Sequence, residues 1–564
     1  MTESRPMLKD RKEILKDIEP IRFGTSGLRD LVSAMTDMEC YINARGFIRF
    51  LKERGEISAG ERIAVGGDRR SSTPRIIAAV VEAVRAEACG AVYTGLVPSP
   101  VLANYSLRSG MPSIMVTGSH IPDDRNGIKF TKTTGEVLKS DEADILRNVA
   151  SAREEEYSKS WDETAFGADG MFREGKELPE ASDEAEKMYL KRYLDVFPPD
   201  CLKGRKIVLY QHSAVGRDLV AAVFSGLGAE VVPVGRSEEF VPVDTEKISA
   251  STADILSRSA REHSPFAIIS TDGDSDRPLL ADENGHFLPG DKLGALVSMY
   301  LEPDFAAIPV SVNPAVVKAL AAEGIEVRQT RIGSPYVIAA MNDKLAEDPE
   351  AGVVSWESNG GFLTGSDWNI DGKRLPALPT RDAVLPMLAV MLLAAREDKK
   401  ISEVASSKLP PFYTAAGVVD NKDEGAESYT SEMGREIIRS FSPDKAPVRE
   451  AEFDVSGQAA VLKAECGERT PELDRELLEI RSRLKKYFSP DKGFGEIKSL
   501  NFLDGIRITF VTAEGREEVS HLRPSGNAPE FRNYAAAGSE ERAKEIADKR
   551  YEIVPEMVAD IGAG

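Results

Sequence analysis

The sequence predicts an α/β protein in which three similar domains, with parallel or mixed sheets, surround a shared cleft. The main observation is a pattern of apolar strand, helix and apolar strand that occurs three times, beginning near Glu61, Arg205 and Ala307. Parallel strands joined through a helix need a crossover, and such crossovers are nearly always right-handed. Each repeat is followed by another apolar strand that ends in a polar loop. The spacing therefore predicts three domains that each contribute one loop to a common site.

Length and composition agree with several folded domains. The chain has 564 residues, and a prior of about 150 residues per domain suggests three or four domains. Its apolar fraction of 41% and charged fraction of 29% are typical of globular proteins. The net charge of −21 argues against nucleic acid as a partner, because such binders carry a broad basic face. An anionic substrate would need local arginines set against this field.

The sequence also indicates a cytoplasmic location. Four cysteines, at positions 40, 89, 201 and 466, show no metal or redox spacing, which suits free thiols in a reducing compartment. The first 25 residues alternate in charge and lack the apolar core of a signal peptide. No apolar run approaches 18 residues, so we expect no membrane-spanning segment and no membrane partner.

The first repeat shows the local signals most clearly. Glu61 to Gly66 is an apolar strand, and Thr73-Pro74 combines an N-cap with proline at the first helical position. Apolar residues from Ile76 to Val84 then form one helical face, and Gly90 precedes the next strand. The second and third repeats have the same order, with strand, helix, glycine and strand. We expect a boundary near 170–185 and a linker near Pro410-Pro411.

Ser119 follows the first of the three extra strands. Ile114 to Val116 is apolar, and ligands of open α/β sheets gather at the carboxyl ends of strands. A serine hydroxyl needs a base or a strong field to become a nucleophile. Lys129 lies ten residues on, beyond a predicted Asn126-Gly127 turn that would fold it back towards the serine. A surface hairpin with an ordinary serine and lysine is the alternative.

Three aspartates follow the second extra strand, Phe266 to Ile269. Asp272, Asp274 and Asp276 alternate along the chain, a spacing that suits a hard cation such as Mg²⁺ or Ca²⁺. An EF-hand loop is excluded because Arg277 occupies its sixth position, which must be glycine. A solvated acidic turn is the other interpretation.

Several stretches resemble, in order, the motifs of the α-D-phosphohexomutases, a family that includes phosphomannomutases, phosphoglucomutases and phosphoglucosamine mutases. The serine stretch resembles the family's T-(A/G)-S-H-N-P loop with its later N-G-x-K. The acidic stretch resembles its D-G-D-x-D-R metal loop. Residues 22–29, 356–361 and 523–532 resemble its F-G-T-x-G-x-R, sugar and phosphate motifs, so the resemblance spans nearly the whole chain.

The resemblance implies a fold and a set of domain bounds. It adds a smaller C-terminal α+β domain to the three α/β domains around the central cleft. We expect a serine-loop domain at 1–180, a metal-loop domain at 181–302, a sugar-loop domain at 303–408 and a phosphate-binding domain at 409–564. The charged stretch from Glu424 to Lys486 is predicted only to be rich in helix.

The resemblance also implies roles for individual residues. The implied catalytic residues are Ser119 as a phosphoserine, Lys129 as a general base with a lowered pKa, His120, Arg29 and Arg277. The implied Mg²⁺ ligands are Asp272, Asp274, Asp276 and the phosphate on Ser119. The implied substrate-binding residues are Glu357, Asn359, Gly333, Ser334, Arg523, Ser525, Gly526, Asn527 and Arg532. Asn359 and Asn527 stand where relatives often have Ser and Thr, and Ala528 stands where they have Glu.

The implied function is a phosphohexomutase that moves phosphate between O6 and O1 of an aldohexose, with mannose as the expected sugar. The expected partners are a sugar phosphate and a sugar bisphosphate, and the expected assembly is a monomer or dimer. The alternatives are a glucose or glucosamine phosphate mutase, a catalytically inactive sugar-phosphate-binding paralogue, and a metal-dependent phosphatase with an aspartyl nucleophile among Asp272 to Asp276.

Overall fold

The computed structural model describes residues 20–21, 23–24, 27–419, 430–444, 448–453, 460–463, 470–524 and 530–562. The chain divides into two compact units. The first unit comprises Met1–Ile308, Leu320–Arg328 and Gly333–Lys408, and the second comprises Pro309–Ala319, Gln329–Ile332 and Leu409–Gly564.

The first sheet of the first unit has six strands and is mixed. Its strands are β1 (Gly27–Leu31), β2 (Arg62–Gly67), β3 (Gly90–Leu96), β4 (Ser113–Val116), β5 (Arg125–Lys132) and β6 (Gly135–Glu136). Its helices are α1 (Asp37–Glu53), α2 (Thr73–Ala86), α3 (Ser99–Arg108) and α4 (Glu142–Ser158). The strand order is β1-β5-β4-β2-β3, with β6 beside β5. β2 runs parallel to β3 and β4, whereas β5 is antiparallel to β4 and β1.

The second sheet has four strands in the order β10-β9-β7-β8. Its elements are α5 (Glu184–Leu194), β7 (Lys206–His212), α6 (Arg217–Gly226), β8 (Glu230–Arg236), α7 (Ala250–His263), β9 (Ala267–Thr271) and β10 (Pro278–Ala281). β7 is parallel to β8 and β9, and β10 is antiparallel to β9. The acidic loop connects β9 to β10, so it lies where a parallel strand ends.

The third sheet has the order β12-β11-β13-β14-β17, and β15 pairs with β16 in a separate hairpin. Its elements are α8 (Gly290–Leu301), β11 (Phe305–Pro309), α9 (Pro314–Ala322), β12 (Glu326–Thr330), α10 (Ser334–Glu347), β13 (Val353–Trp356), β14 (Phe362–Thr364), β15 (Trp368–Ile370), β16 (Lys373–Leu375), β17 (Leu378–Asp382), α11 (Val384–Arg396) and α12 (Ile401–Lys408). β11 and β13 are parallel, whereas β14 is antiparallel to β13 and β17.

The second unit is built on a seven-stranded sheet with the order β18-β24-β23-β22-β21-β19-β20. Its elements are β18 (Tyr413–Val419), α13 (Ser431–Ser440), β19 (Glu450–Phe453), β20 (Ala460–Lys463), α14 (Pro471–Leu484), β21 (Glu496–Asn501), β22 (Ile506–Val511), β23 (Glu517–Pro524), β24 (Phe531–Ala537), α15 (Glu540–Asp548) and α16 (Arg550–Gly562). Every pairing described in this sheet is antiparallel.

The predicted fold class is confirmed, with three α/β sheets and a C-terminal α+β domain. The three repeats appear as β2-α2-β3, β7-α6-β8 and β11-α9-β12. The helix-rich interpretation of Glu424 to Lys486 is only partly right, because the described part of that stretch also contains the β19–β20 pair. The four domain bounds stay a prediction. Within the described residues, no helix is both long enough and apolar enough to cross a membrane.

Candidate active site

Ser119 lies in the loop that leaves β4, and its side chain is buried. Its φ of 56° is in the left-handed region, which costs a residue with a Cβ about 1 kcal/mol or more. Neighbouring contacts must therefore hold it there. The Ser119 N–H donates to Thr117 Oγ1 over 2.8 Å, and Ser119 Oγ donates to Asp272 Oδ2 over 2.6 Å. The loop thus directs the serine hydroxyl at the acidic loop of the second sheet.

The buried guanidinium of Arg70 holds the serine loop from behind. Its Nε donates to Asp68 Oδ2 over 3.2 Å, and Asp68 also accepts from Thr117 Oγ1 over 2.8 Å. Its Nη groups donate to the main-chain carbonyls of Ser119, Ile121, Pro122 and Arg125. The ring of Phe240 covers the guanidinium, with its centroid 4.0 Å from Cζ. These donors fix the loop conformation in which Ser119 has a positive φ.

Lys129 reaches the site along β5, by a different turn from the one predicted. Asn126 and Gly127 are part of β5, and the chain reverses at residues 119–124 instead. The predicted Asn126-Gly127 turn is therefore wrong. The reason is tertiary, because Asn126 Nδ2 donates to Ser72 Oγ and Thr73 Oγ1 and so keeps this stretch extended.

The three aspartates of the acidic loop form a buried cluster. One carboxylate oxygen from each of Asp272, Asp274 and Asp276 lies within 4.8 Å of the others. The left-handed φ of 57° at Ser275 lets the loop fold back and bring them together. Oδ1 of Asp274 and Oδ1 of Asp276 are buried without a hydrogen-bond partner in the described structure. Unpaired carboxylate oxygens are costly to bury, so this donor set fits a hard divalent cation.

The cluster distributes its charge unevenly. Burial raises the pKa of Asp272 well above its usual range, and the two neighbouring carboxylates act in the same direction. Burial would also raise the pKa of Asp274, but Lys129, with smaller contributions from Ser99 and Arg381, outweighs burial and the pKa is lowered. At Asp276, burial is outweighed mainly by Arg381, and the pKa is lowered as well. Asp274 and Asp276 are therefore the carboxylates held most firmly in the ionised form.

Lys129 lies between two of these carboxylates. Its Nζ donates to Asp274 Oδ2 over 2.7 Å and to Asp276 Oδ2 over 2.8 Å. Burial alone would lower the pKa of Lys129, but the two carboxylates outweigh burial and raise it. The expected lowered pKa of Lys129, which the resemblance ties to a neighbouring Mg²⁺, stays a prediction. The sequence predicted the lysine near Ser119 but could not show that it pairs with two carboxylates of the acidic loop at once.

His120 and Arg277 form a contact beside the serine. Arg277 Nη1 lies 2.9 Å from His120 Nδ1, which in turn is 3.5 Å from Ser119 Oγ. Burial lowers the pKa of His120 to about 2, and the neighbouring guanidinium of Arg277 acts in the same direction. The imidazole is therefore neutral and can accept from Arg277. The main-chain N–H of Arg277 donates to Asp272 Oδ1 over 3.2 Å, so this residue also braces the acidic loop.

Arg29 lies on β1, whose neighbour β5 carries Lys129. Gly27 is paired with Lys129 and Arg29 with Gly127, so the Arg29 and Lys129 side chains share one face of the sheet. More than a third of Arg29 is exposed, yet the dense surrounding protein lowers its pKa to about 10, with Arg277 acting in the same direction. The structure therefore places Arg29 in the same cationic region as Arg277.

Glu357 and Asn359 lie in the loop between β13 and β14. Arg381 Nη1 donates to Glu357 Oε2 over 3.0 Å, which fixes one carboxylate oxygen of Glu357. Asn359 Oδ1 accepts the N–H of Gly361 over 3.0 Å, and its main-chain carbonyl accepts from Thr245 Oγ1 over 2.7 Å. The asparagine therefore helps to shape its own loop.

Gly333 and Ser334 mark the start of α10. Gly333 has a φ of 128°, a region that favours glycine, and it forms the cap of the helix. Ser334 is buried, and its Oγ donates to Glu136 Oε2 over 3.3 Å. The structure thus brings Ser334 to a carboxylate of the first sheet.

Arg523 and Arg532 are cross-strand partners in the second unit, on β23 and β24. Arg523 Nε donates to Asp504 Oδ1 over 3.2 Å, and Arg532 Nη2 donates to Glu530 Oε2 over 3.0 Å. The two strand ends flank residues 525–529. The predicted phosphate-binding residues Ser525, Gly526 and Asn527 lie outside the described residues.

Sequence reasoning missed three residues that organise the site. They are Arg70, Arg381 and Ser99, whose Oγ donates to Asp274 Oδ2 over 2.6 Å. A usable signal existed for the two arginines. Arg70 follows the apolar strand β2, and Arg381 lies at the carboxyl end of β17, the same positions that identified Ser119 and Asp272.

Comparisons with known proteins agree with this architecture. Family models described as phosphoglucomutase/phosphomannomutase alpha/beta/alpha domains I, II and III match residues 20–156, 188–285 and 289–412. Two crystal structures share the fold. A phosphoglucomutase/phosphomannomutase family protein from Burkholderia thailandensis has a TM-score of 0.63 at 17% identity, covering 94% of this chain and 96% of that one. Parafusin, a phosphoglucomutase from Paramecium, has a TM-score of 0.60 at 16% identity, covering 95% of this chain and 96% of that one.

Sequence relatives are much closer than these structures. A phosphomannomutase from Sinorhizobium fredii is 38% identical over 529 residues, which cover 93% of this chain and 97% of that protein. A phosphomannomutase from Salmonella muenchen is 37% identical, with 94% of each chain covered. A phosphoglucosamine mutase from Geobacter sp. is more distant, at 27% identity over 68% of this chain and 80% of that protein. The chain therefore belongs to the phosphoglucomutase/phosphomannomutase family.

Proposed function

We propose that the protein is a phosphohexomutase that interconverts mannose 6-phosphate and mannose 1-phosphate through a phosphoserine at Ser119 and a bisphosphorylated sugar. The observation that carries this proposal is the 2.6 Å contact from Ser119 Oγ to Asp272 of the buried aspartate cluster. A hydroxyl held at such a cluster, beside the guanidinium of Arg277, suits transfer of a phosphoryl group with a charge of about −2. The similarity to two phosphomannomutases favours mannose as the sugar.

Mg²⁺ is the cation that we propose for the aspartate cluster. Asp272, Asp274 and Asp276 would hold it together with the phosphate on Ser119. The buried Oδ1 atoms of Asp274 and Asp276, which have no hydrogen-bond partner in the described structure, support this assignment. When bound, the cation would polarise the transferring phosphoryl group and offset its charge. Its positive charge beside Asp274 and Asp276 would also counter the two anions that raise the pKa of Lys129.

Lys129 is the general base in this proposal. The sugar hydroxyl attacks the phosphorus of phosphoserine 119, a new sugar O–P bond forms, and the P–Oγ bond of Ser119 breaks. The proton of the hydroxyl passes to the neutral amine of Lys129, which then releases one proton to Ser119 Oγ, so the number of protons is unchanged. Arg29 and Arg277 supply positive charge around the transferring group, and neutral His120 braces the serine loop through Arg277. The bisphosphate then reorients in the cleft and returns the other phosphate to Ser119.

Substrate recognition is divided between two further regions. Glu357 and Asn359 bind sugar hydroxyls, and Gly333 with Ser334 borders the sugar. Arg523, Ser525, Gly526, Asn527 and Arg532 bind the phosphate that does not react. Paired guanidinium groups can offer a phosphate parallel charge-assisted donors, which supports the assignment of Arg523 and Arg532. The proposal includes a cytoplasmic location and a monomer or dimer.

Three alternatives make different predictions. A glucose or glucosamine phosphate mutase would show its highest kcat/KM on those sugars. A metal-dependent phosphatase would carry its phosphate on an aspartate and release it to water. An inactive paralogue would bind without turnover, but the relatives carry mutase names, and a binder has no need of a buried nucleophile beside a cation cluster.

Mass spectrometry tests the phosphoserine directly. Purified wild-type protein incubated with hexose bisphosphate should carry one phosphoryl group, and peptide mapping should place it on Ser119. The Ser119→Ala variant, kept as the control, should carry none. Coupled assays on mannose, glucose and glucosamine phosphates then rank the sugars. Phosphate found only on an aspartate of the cluster would replace this proposal with the phosphatase alternative.

A further inference from the structure

Arg381 joins the two loops that the proposed reaction uses for different tasks. Its Nε and Nη2 each lie 3.0 Å from Asp276 Oδ2 in the acidic loop, and its Nη1 donates over 3.0 Å to Glu357 Oε2 in the sugar loop. The arginine is 8% exposed, so both ion pairs are shielded from solvent. One planar guanidinium therefore fixes the distance between a cluster carboxylate and a sugar-loop carboxylate.

The strand that carries Arg381 is itself held on both sides. The preceding residue, Thr380, donates through Oγ1 to Glu136 Oε1 of the first sheet over 2.6 Å. The following residue, Asp382, accepts from the hydroxyls of Tyr189 and Tyr193 on α5. Three consecutive residues of β17 thus contact four different parts of the first unit: the first sheet, the acidic loop, the sugar loop and α5. The guanidinium has little freedom to move relative to the site.

The sugar loop also leaves space for the Arg381 stem. A Cβ built on Gly361 would lie 2.5 Å from Cδ and 2.7 Å from Cγ of Arg381, closer than such atoms are found in proteins. Glycine at 361 therefore lets the loop pass over the side chain. This close fit between the sugar loop and the arginine indicates that the contact from Arg381 orients Glu357.

We propose that Arg381 is a specificity-determining positioning residue, which orients Glu357 towards the sugar and ties that orientation to the acidic loop. The inference rests on the proposed function, because it takes Glu357 as a sugar ligand. Arg381 holds Oε2, so Oε1 is the oxygen presented to a sugar hydroxyl. A carboxylate held in one orientation distinguishes hydroxyl epimers better than one that can rotate, because a wrong epimer then leaves buried polar groups unpaired.

The chosen substitution is Arg381→Lys. Lysine keeps the positive charge but replaces the planar fork with one nitrogen, which cannot reproduce the two ion pairs in the same geometry. The ratio of kcat/KM for mannose 6-phosphate to kcat/KM for glucose 6-phosphate should fall about tenfold or more, as expected for the loss of one charge-assisted contact. KM for the preferred sugar should rise more than kcat falls. The phosphoserine content after incubation with hexose bisphosphate should stay close to that of the wild type.

Arg192→Lys is the matched control. Arg192 is buried to 3% exposure and donates through Nη1 to Pro376 O over 2.6 Å, near the same strand, but it contacts neither loop. Its substitution should leave the sugar ratio unchanged. Glu357→Gln should lower the ratio, and the double variant with Arg381→Lys should be no worse than Glu357→Gln alone. Such non-additivity is expected of a residue that acts through another.

Binding measurements keep the test independent of turnover. Mannose 6-phosphate and glucose 6-phosphate are titrated calorimetrically into Ser119→Ala and into Ser119→Ala combined with Arg381→Lys. The ratio of the two dissociation constants should show the same loss of discrimination in the combined variant. Thermal unfolding checks that both proteins are folded. An unchanged ratio in Arg381→Lys, or additive effects with Glu357→Gln, would overturn the inference while wild-type mutase activity upheld the proposed function. A wild type inactive on every hexose phosphate would instead refute the proposed function, and the calorimetric ratio would still decide the role of Arg381.

Discussion

Arg70, the buried arginine that holds the serine loop, can be compared with the arginine pair of the second unit. Arg70 is fully buried, and its donors are occupied by several protein acceptors. Arg523 and Arg532 keep 20% and 37% of their side chains exposed, and each lies beside a single carboxylate. Loss of a buried donor leaves its acceptors unpaired, whereas water can replace a donor that is partly exposed.

This difference separates two ways of losing activity. At Arg70, a substitution should reduce folding stability and activity together, because the same contacts hold the fold and the serine. At Arg523 or Arg532, activity should fall with little change in stability. Measuring both quantities on each variant therefore shows whether a residue shapes the site or contacts the ligand.

The largest expected effect concerns the aspartate cluster. Excess chelator should abolish activity, and added Mg²⁺ should restore it, because the buried Oδ1 atoms of Asp274 and Asp276 have no hydrogen-bond partner in the described structure. Asp274→Asn should stay inactive after Mg²⁺ is added, since an amide supplies a poorer ligand than a carboxylate. A coupled mutase assay measures both.

Asp282→Asn is the control for that substitution. Asp282 is also buried, and its Oδ1 accepts main-chain N–H groups from Asn284 and His286 outside the cluster. This variant should keep its response to Mg²⁺. Full wild-type activity in excess chelator would remove the cation from the proposed mechanism.

Arg70→Lys is the next largest effect. One ammonium cannot replace the guanidinium donors to Asp68 and to four main-chain carbonyls, so we expect the free energy of unfolding to fall by about 2–4 kcal/mol. Because Ser119 would no longer be held at its positive φ, kcat and phosphoserine content should fall as well. Denaturant titration and intact mass measure these changes.

Arg75→Lys serves as the comparison, because Arg75 lies on α2, the helix that begins at Thr73 shortly after Arg70. Arg75 bridges Asp37 and the carbonyl of Met35, but its side chain is 28% exposed. The expected loss of stability is under about 1 kcal/mol, with unchanged phosphoserine content. Equal losses in the two variants would show that burial of Arg70 does not matter.

The same contrast explains what the sequence could predict. Ser119 and the aspartates could be found because apolar strands followed by polar loops are local signals, and strand ends collect ligands. Arg70 and Arg381 also lie at strand ends, but apart from Asp68 the partners of these arginines are tens of residues away in the chain, and no spacing rule connects them. The raised pKa of Lys129 depends on two anions at 2.7 and 2.8 Å, which only the folded geometry reveals.

Arg523→Ala should reduce activity without reducing stability. A charge-assisted hydrogen bond to phosphate contributes about 1.5–3 kcal/mol, so kcat/KM should fall about 10- to 150-fold. The ion pair of Arg523 with Asp504 is partly exposed, at 20% for each side chain, and its loss should change the free energy of unfolding by about 1 kcal/mol or less. Arg516→Ala is the control, because that side chain is 73% exposed and points to a different carboxylate, Glu514. Wild-type kinetics in Arg523→Ala would remove this arginine from substrate binding.

The smallest effect, and one that concerns stability alone, is expected two residues earlier in the same strand. His521 is buried, and its Nε2 contacts the main-chain carbonyl of Asp504. Burial lowers the pKa of His521 from its usual 6.5 to about 4, and nearby Arg507 acts in the same direction. The unfolded chain therefore takes up a proton at a pH where the folded chain does not. Stability is fully present above pH 6.5 and is lost as the pH falls towards 4.

Between pH 8 and pH 5.5, His521 should contribute a loss of about 1.4 kcal/mol in the free energy of unfolding. His120 and His212 also have lowered pKa values, so the wild-type slope alone cannot isolate this residue. His521→Gln supplies the comparison, since its amide can still donate to the Asp504 carbonyl but does not titrate. Denaturant titrations at both pH values should give a smaller pH dependence in the variant by about that amount. Identical slopes would mean that His521 takes up its proton as readily in the folded protein as in the unfolded chain.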